Sequence, residues 1–319
     1  MKRALACALA LAGCTSFEDP DVVVDLRVLA ISADLPEQIV DVDLQHPQQP
    51  AELLQQLVPT EVCALVADPG KDRGLHYEIS ICPYTRNGRC DSAATAVVGS
   101  GEIADPDTGV QQPPMCATIA PNANLLGVLL EVLNDDALAG LGGIDYLAEL
   151  RVGGVGGDPD LDLYAAKTLR VAPRIPAERM ANHNPTIDGI MIDDATPLPL
   201  GRCPAQAAPL EVAPGTKLRF TPLETAGARE DYVVPTLSGA SRMFTESLTY
   251  QWISGAGSFS AGSTGGPRDV AGNPAPLFTD WTAPKAKDVS GPTDVPLWII
   301  QRDERLGVTW YESCVRVVP

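Results

Sequence analysis

The chain alternates short apolar segments with turn-forming residues, and this pattern predicts strands more often than helices. Residues 75–81, for example, alternate apolar with polar side chains, the period of two expected for a strand with one buried face. In the first part of the chain, segments of this kind predict strands at 22–31, 61–66, 75–81, 95–98, 115–119, 146–152 and 163–171.

Two segments of the first part have helical patterns instead. Residues 51–58 predict a short helix, and residues 124–133 are apolar nearly all round. We interpret the second segment as a buried helix that begins at Asn122 or Asn124, since asparagine is a favoured N-cap. The alternative is a helix that lies on a membrane or binds a partner, but such helices need a strong polar face.

A polar connector at 173–185 divides the chain, and the composition changes beyond it. All four tryptophans and four of the five phenylalanines lie in the second part, whereas residues 22–172 contain only tyrosines among their aromatic residues. Short strands are predicted in the second part at 186–192, 210–212, 217–220, 248–253, 277–281, 295–301 and 307–317.

Four segments of the second part resemble bacterial surface domains of immunoglobulin-like fold. They have the sequences YQWI at 250–253, GSF at 257–259, WTAP at 281–284 and LWIIQRD at 297–303. The resemblance covers about 130 residues at the C-terminal end. It implies that the tyrosine–x–tryptophan strand packs in a core and that the WTAP strand precedes a final hairpin.

These observations together predict a mainly β protein with two immunoglobulin-like antiparallel β-sandwich domains in tandem. The first would occupy residues 22–172 and carry a helical insertion near 122–139, and the second would occupy residues 186–319. Residues 173–185 would be the linker, and a cut within them is expected to leave two folded halves.

The N-terminus has the features of an exported protein. Lys2 and Arg3 precede an apolar run at 4–12, which has the length of a secretory h-region. The run ends in Leu-Ala-Gly-Cys at 11–14, which resembles the bacterial lipobox. This resemblance implies a signal peptide at 1–13, acylation (palmitate) at Cys14 and a lipidated tether at 14–21; the alternative is an ordinary signal peptide followed by an accidental cysteine. Thr15, where an aspartate would favour inner-membrane retention, indicates the outer membrane, with a periplasmic or surface location.

The net negative charge argues against some classes of partner. The 319 residues carry a formal charge of −18, and removal of the predicted signal peptide leaves 21 basic and 41 acidic residues. Such a surface repels phosphate backbones, which argues against nucleic-acid binding. It also repels anionic headgroups, so we expect the lipid on Cys14 to hold the protein at the membrane.

Six cysteines remain after the predicted signal peptide and lipid site are set aside, and we expect three disulfides in an exported chain. Metal ligation is the alternative, although the sequence contains no Cys-x-x-Cys pair and only three histidines. Two cysteines lie in the second domain, which predicts the pair Cys203–Cys314. In the first domain the Asn87-Gly88 turn favours Cys82–Cys90, which leaves Cys63–Cys116.

The sequence contains none of the common catalytic or cofactor-binding motifs, so we expect a non-catalytic protein without a cofactor. Asp158, Asp160 and Asp162 form the best candidate for a metal site, for calcium, although a solvated hairpin tip is the simpler interpretation. Exposed tryptophans would suit sugar stacking, but each tryptophan lies in an apolar strand, which favours core packing.

We therefore predict a lipid-anchored cell-envelope protein whose immunoglobulin-like domains serve as a binding or spacer module. The partner would be a protein or a glycan, and the alternative function is an envelope hydrolase or a carbohydrate-binding accessory protein. Residues 223–247 and 255–276 are the long irregular segments of the second domain, the latter with six glycines and three prolines. We expect these two segments to make the partner contacts, unless they are plain exposed linkers.

Overall fold

A computed structural model describes residues 19–43, 45–46, 48–70, 73–103, 110–235 and 240–319. The predicted signal peptide and the lipid site at Cys14 lie outside these residues. In the first part of the chain, the structure has helices α1 (Pro50–Leu54) and α2 (Ala123–Asp135) and strands β1 (Arg27–Ala33), β2 (Glu37–Val40), β3 (Thr60–Ala67), β4 (Leu75–Pro83), β5 (Ala96–Ile103), β6 (Met115–Ile119), β7 (Ile144–Gly154) and β8 (Leu163–Pro173).

The second part is built from strands and single 3₁₀ turns. The strands are β9 (Ile187–Ile192), β10 (Thr196–Pro197), β11 (Leu210–Val212), β12 (Lys217–Glu224), β13 (Asp231–Pro235), β14 (Ser241–Thr245), β15 (Thr249–Ser254), β16 (Ser258–Phe259), β17 (Ser263–Gly265), β18 (Thr279–Thr282), β19 (Thr293–Arg302) and β20 (Val308–Val317). The protein is mainly β, as predicted.

Four sheets are stacked face to face, and we number them I to IV in the order of stacking. Sheet I has the strand order β2-β8-β7-β4-β5 and sheet II the order β1-β3-β6. Sheet III has the order β11-β20-β19-β15-β17 and sheet IV the order β10-β9-β12-β18-β16. Strands β13 and β14 form a separate two-stranded hairpin.

Sheets I and II enclose an aliphatic core, whose largest fully buried side chains include Leu75, Ile79, Ile81 and Tyr146. Helix α2 closes one end of it. Asn122 caps this helix by accepting hydrogen bonds from the backbone N–H groups of residues 124 and 125. Of this helix, which the sequence predicted to be buried, one face is buried, through Leu125, Val128 and Leu129.

Sheets III and IV enclose an aromatic core. Phe220 lies between Trp252 and Trp281, with 6.3 Å between ring centroids on each side, and Tyr250 is fully buried beside them. These residues come from β12, β15 and β18. The expectation that the tryptophan strands pack in a core is confirmed for Trp252, Trp281 and Trp298, each of which is 0% exposed.

A third core lies between sheets II and III and joins the two parts of the chain. Leu29 and Leu65 from the first part pack with Ile253, Trp298 and Ile300 from the second. Because β19 is covered on both sides, its successive residues enter different cores, and its segment 295–301 is buried throughout. The two halves of the chain therefore share buried apolar surface.

Edge strands depart from the predicted antiparallel arrangement. Strand β2 pairs in parallel with β8, and β11 pairs in parallel with β20. β2 and β11 are early strands of their halves, and each pairs with the last strand of its own half. Because the chain between the two paired strands is long and is not a hairpin, they can run parallel. The other ladders of sheets I to IV are antiparallel.

The start of the described chain packs on the second half. The backbone N–H of Val23 donates to Ser254 O at 2.9 Å, and Ser254 N–H donates to Asp21 O at 2.9 Å. Val23 is buried in the third core. Residues 21–23 thus lie along the C-terminal end of β15, although the sequence assigned them to the tether and the start of the first domain.

Candidate functional site

The two long segments expected to contact a partner lie together in the structure and form a cleft. The cleft has a volume of about 540 Å³ and opens to solvent at the N-terminal end of β15. We call it the loop cleft. It is lined by Arg229, Thr245, Glu246 and Ser247 from the first segment and by Gly266, Arg268, Pro274, Ala275 and Leu277 from the second segment and its end.

The first segment is not an irregular loop, as the sequence suggested, but contains the hairpin of β13 and β14. Tyr232 and Phe244 stack across this hairpin with 5.6 Å between ring centroids, and the Arg242 guanidinium lies 4.8 Å from the Phe244 ring centroid. Arg242 and Phe244 belong to the segment 223–247, for which the sequence predicted partner contacts. They lie on the hairpin and are absent from the wall of the loop cleft.

Hydrogen bonds within the second segment fix its conformation. The Asp269 carboxylate accepts bonds from the backbone N–H groups of Ala271 and Asn273, both at 2.8 Å, and from the Asn273 amide at 2.9 Å. These bonds, with that from the Asn273 side chain the largest cause, lower the pKa of Asp269. One Arg268 N–H donates to Gly272 O at 2.9 Å. The segment therefore presents Arg268 from an ordered loop.

The carboxylate of Glu224 orients the Arg229 side chain. Its Nε and one terminal nitrogen bond both oxygens of Glu224, at 2.9 and 2.8 Å, and the Tyr250 hydroxyl donates to Glu224 at 3.0 Å. Bidentate pairing of this kind fixes the plane of the guanidinium as well as its position. This pairing raises the pKa of Arg229.

Glu246 is the buried carboxyl group of the loop cleft and is only 3% exposed. It accepts a hydrogen bond from the Glu230 backbone N–H at 3.1 Å and one from Arg305 at 3.3 Å. Burial is the largest cause that raises the pKa of Glu246, to about 7. A carboxyl group with this pKa changes its charge near neutral pH.

Through Arg305, Glu246 is linked to a buried ion cluster between the two halves, which we call the junction cluster. Glu37, on β2, accepts hydrogen bonds from Arg305 at 3.0 Å and Arg179 at 2.9 Å. The backbone N–H of Asn182 donates to the same carboxylate at 3.0 Å. The cluster thus joins the first half, the connector and the β19–β20 turn.

No sequence motif pointed to Glu246, Arg229 or Arg305. Arg229 pairs with Glu224 only five residues before it, but the partners that join Glu246 and Arg305 to the junction cluster are far away along the chain. Glu37 and Arg305 are 268 residues apart. The sequence indicated only the two long segments, and the charged side chains between them emerge from the tertiary structure.

All three predicted disulfides are present, with the predicted pairing. Cys63–Cys116 joins directly opposed residues of β3 and β6, and Cys203–Cys314 closes a sequence separation of 111 residues. Cys82–Cys90 closes a separation of 8 residues. Its loop contains Gly88 at φ +69°, a conformation that favours glycine. These six cysteines form disulfides, so the alternative interpretation, metal ligation, is wrong for them.

Two of the three aspartates that form the calcium candidate have carboxylates with other partners. Asp158 caps a 3₁₀ turn by accepting a bond from the Asp160 N–H at 3.0 Å. Asp162 is buried and pairs with Arg151 at 2.7 Å and with His76 at 3.2 Å. In the part of the chain that the structure describes, the one group of three converging ligands is Glu61 with the disulfide-bonded Cys63 and Cys116.

A second cavity lies between α1 and α2 and has an almost wholly apolar wall. Its volume is about 180 Å³. The less buried face of α2 contributes Leu126, Leu130 and Leu133, and α1 contributes Leu53 and Leu54. This cavity explains why the segment 124–133 is apolar beyond its buried face. Among the described residues, no helix has the length and apolar character required to cross a bilayer.

Comparisons with known proteins give no family for this chain. No family model matches it, and no curated protein matches it. Among solved structures, red sea bream transglutaminase is 8% identical with a TM-score of 0.24; the match covers 92% of this chain and 31% of that one. Dimeric latent PorU from Porphyromonas gingivalis is 10% identical with a TM-score of 0.20, covering 92% and 24%. The chain thus spans a third or less of these proteins, and TM-scores this low carry no conclusion about fold or activity.

Proposed function

We propose that this protein is a non-catalytic, lipid-anchored envelope protein that holds a partner in the loop cleft. In this proposal Cys14 carries the lipid, and two sandwiches of immunoglobulin-like plan, 22–172 and 186–319, position the cleft. The observation that carries the proposal is the convergence of the two long segments on either side of β15 on one solvent-open cleft at the end of a stack of sheets. Loops held by a rigid scaffold are the usual place for binding residues.

A feature common to both halves supports the tandem plan. In each half an early strand pairs in parallel with the last strand, as β2 does with β8 and β11 with β20. The remaining ladders that form each sandwich are antiparallel. Two halves with the same unusual edge are consistent with two units built on one plan.

The path of the N-terminal segment supports the outward position of the cleft. Residues 21–23 lie beside Ser254, at the C-terminal end of β15. Gly262 lies so close to Asp21 that a Cβ atom there would be 1.9 Å from its carboxylate. The loop cleft lies at the other end of β15, about 17 Å away at about 3.3 Å per residue. The described chain thus enters the fold at the end of β15 opposite the cleft, and in our proposal an anchor at Cys14 leaves the cleft on the side away from the membrane.

The anchor is tested by Cys14→Ser in the full chain. Loss of the acylated cysteine should release the protein from the membrane fraction and abolish incorporation of a labelled fatty acid. Thr15→Ser is the matched control, since it leaves the cysteine in place. Unchanged fractionation of Cys14→Ser, with no lipid label on the unmodified chain, would contradict the anchor.

Binding is tested by a photo-crosslinking residue placed at Arg268 or Ala275, both in the cleft wall. The same residue at Val97, which is 53% exposed on the edge strand of sheet I, is the control. We expect a crosslinked species in cells from the two cleft positions and none from Val97. Equal crosslinking from all three positions, or crosslinking from Val97 alone, would place the contact elsewhere.

A further inference from the structure

The loop cleft is lined by two arginines in a strongly acidic protein. Arg268 belongs to one of its two segments and Arg229, which is paired with Glu224, to the other, whereas the whole chain has a formal charge of −18. We propose that the loop cleft binds an acidic saccharide, with Arg268 and Arg229 as the contacts for its anionic group. This inference rests on the proposed binding function and names the ligand class for the same cleft.

The two guanidinium groups retain donors for such a ligand. Arg268 uses one terminal nitrogen for Gly272, and its other nitrogens bond to no described residue. Arg229 uses Nε and one terminal nitrogen for Glu224, which leaves its second terminal nitrogen for the cleft. Guanidinium donors suit the oxygens of carboxylates and phosphates better than neutral acceptors, because the hydrogen bonds are charge-assisted.

The rest of the wall favours a compact, hydroxyl-bearing ligand. Ser247 brings a hydroxyl group, whereas the Thr245 hydroxyl donates to Asp231. The volume of about 540 Å³ is typical of small-molecule sites, which span roughly 300–1,000 Å³. None of the described lining residues is aromatic. A neutral sugar therefore finds no ring to stack on, and the charge of an acidic sugar supplies the main attraction.

Glu246 makes this attraction dependent on pH. Its carboxylate would repel an anion in the cleft, and this repulsion disappears when Glu246 is protonated, below its pKa of about 7. The groups that act on Glu246 are Arg305, which it binds, the neighbouring acids Glu230 and Asp303, and Tyr232 on the hairpin. The cleft wall also contains Arg229 and Arg268. Anion binding is expected to strengthen as the pH falls from 8 to 6.

The test uses the mature full chain and three sugars of similar size. Glucuronate and glucose 6-phosphate carry a carboxylate and a phosphate, and glucose is the neutral control; binding is followed by saturation-transfer NMR and calorimetry. At least one anion should bind and glucose should not, and the two anion arms show which group the cleft prefers. Binding of glucose equal to that of both anions, or binding of none of the three, overturns the inference.

Variants assign the binding to the cleft. Arg268→Gln should weaken binding of the preferred anion at least tenfold, whereas Arg316→Gln, at an exposed arginine paired with Asp294 on sheet III, should not change it. Glu246→Gln should keep the binding and abolish its dependence on pH between 6 and 8. Equal loss in Arg268→Gln and Arg316→Gln would indicate only a general charge effect and overturn the assignment.

Two further outcomes separate this inference from the proposed function. Tight binding of a hexaglutamate peptide without binding of the sugar acids would identify an acidic protein as the partner and overturn the saccharide assignment. Crosslinks from Arg268 in cells without binding of any acidic sugar would leave the binding function standing and overturn the ligand class. Absence of both crosslinks and sugar binding would overturn both.

Discussion

The two halves of this protein build their cores from different residues. The core between sheets I and II is aliphatic, with Tyr146 as its one fully buried aromatic side chain. The core between sheets III and IV is centred on Trp252, Trp281 and Phe220. Such a change in composition suggests two independent units, yet the third core takes Leu65 from one half and Trp298 from the other. Composition therefore marks the two sandwiches but does not show whether they are separate.

The two sandwiches are joined because two strands, β3 and β19, are buried on both faces. In β3, Val62 and Ala64 face the first core, whereas Leu65 faces the third. In β19, Leu297 and Ile299 face the second core and Trp298 the third. Both strands are continuous apolar runs rather than alternating ones, which is typical of strands covered on both sides.

Separating the halves should have the largest effect. Chains 19–173 and 186–319 would each expose one side of the third core and half of the junction cluster. We expect each to fold, to bind a hydrophobic dye more strongly than the intact chain, and to associate when the two are mixed. Co-elution on a size-exclusion column measures the association. Two stably folded halves that do not associate would contradict the shared core.

Removal of a disulfide should have the next largest effect, and the loss of stability should differ between the two halves. The Cys203–Cys314 bridge closes a separation of 111 residues, and Cys82–Cys90 one of 8. In the chain-entropy model, their loss costs about 4.8 and about 2.5 kcal/mol. Denaturant unfolding of the two double Cys→Ala variants measures both costs. Equal losses would show that strain or residual structure outweighs loop length.

Trp298→Ala tests the third core directly. Truncation of a fully buried tryptophan costs about 3–5 kcal/mol, and here the loss should also loosen the contact between sheets II and III. Trp310, only partly buried at the same core, is the graded control and should cost less. Unfolding curves should lose their single transition in Trp298→Ala; a single transition with little loss would argue against a common core.

Arg305→Ala breaks the junction cluster and leaves Glu37 and Glu246 without a shared cation. Removal of one partner of a buried ion pair costs about 3 kcal/mol or more. Arg316→Ala removes an equally close pair with Asp294, but that pair is exposed and should be worth about 0–1 kcal/mol. Thermal unfolding of both variants gives the comparison, and similar small losses would show that the junction cluster is weak.

Dependence on pH is the smallest effect that we predict. Burial is the largest cause that raises the pKa of both Glu246 and Glu312, to about 7, so the folded state binds more protons than the unfolded state between pH 4.5 and 7. Stability from these groups therefore falls as the pH rises through this window. Burial also lowers the pKa of Lys167 to about 8, so its contribution rises again between pH 8 and 10.5.

The combined result is a minimum in stability between pH 7 and 8 from these three groups. Melting temperatures measured from pH 5 to 10 should show it. The Glu246→Gln, Glu312→Gln double variant should lose the acidic slope and keep the basic one. A flat profile in the unmodified chain would contradict both assignments.

Local patterns were sufficient for most strands and for the disulfides. The segment 75–81 became β4 because alternation of apolar and polar residues reflects one buried face, a local property of the strand. The cap at Asn122 and the Cys82–Cys90 turn at Gly88 likewise depend on neighbours within a few residues. The prediction of Cys203–Cys314 needed only the count of cysteines on each side of the connector.

The tertiary structure decided everything that depends on contacts between distant segments. The hairpin of β13 and β14 has no strong alternation, and among the described residues its strands pair only with each other. The shared third core and the junction cluster at Glu37 combine segments that are remote along the chain. The loop cleft at Arg268 combines the two segments that flank β15. A sequence pattern records whether a side chain is buried, whereas the partner that buries it is set by how the four sheets stack.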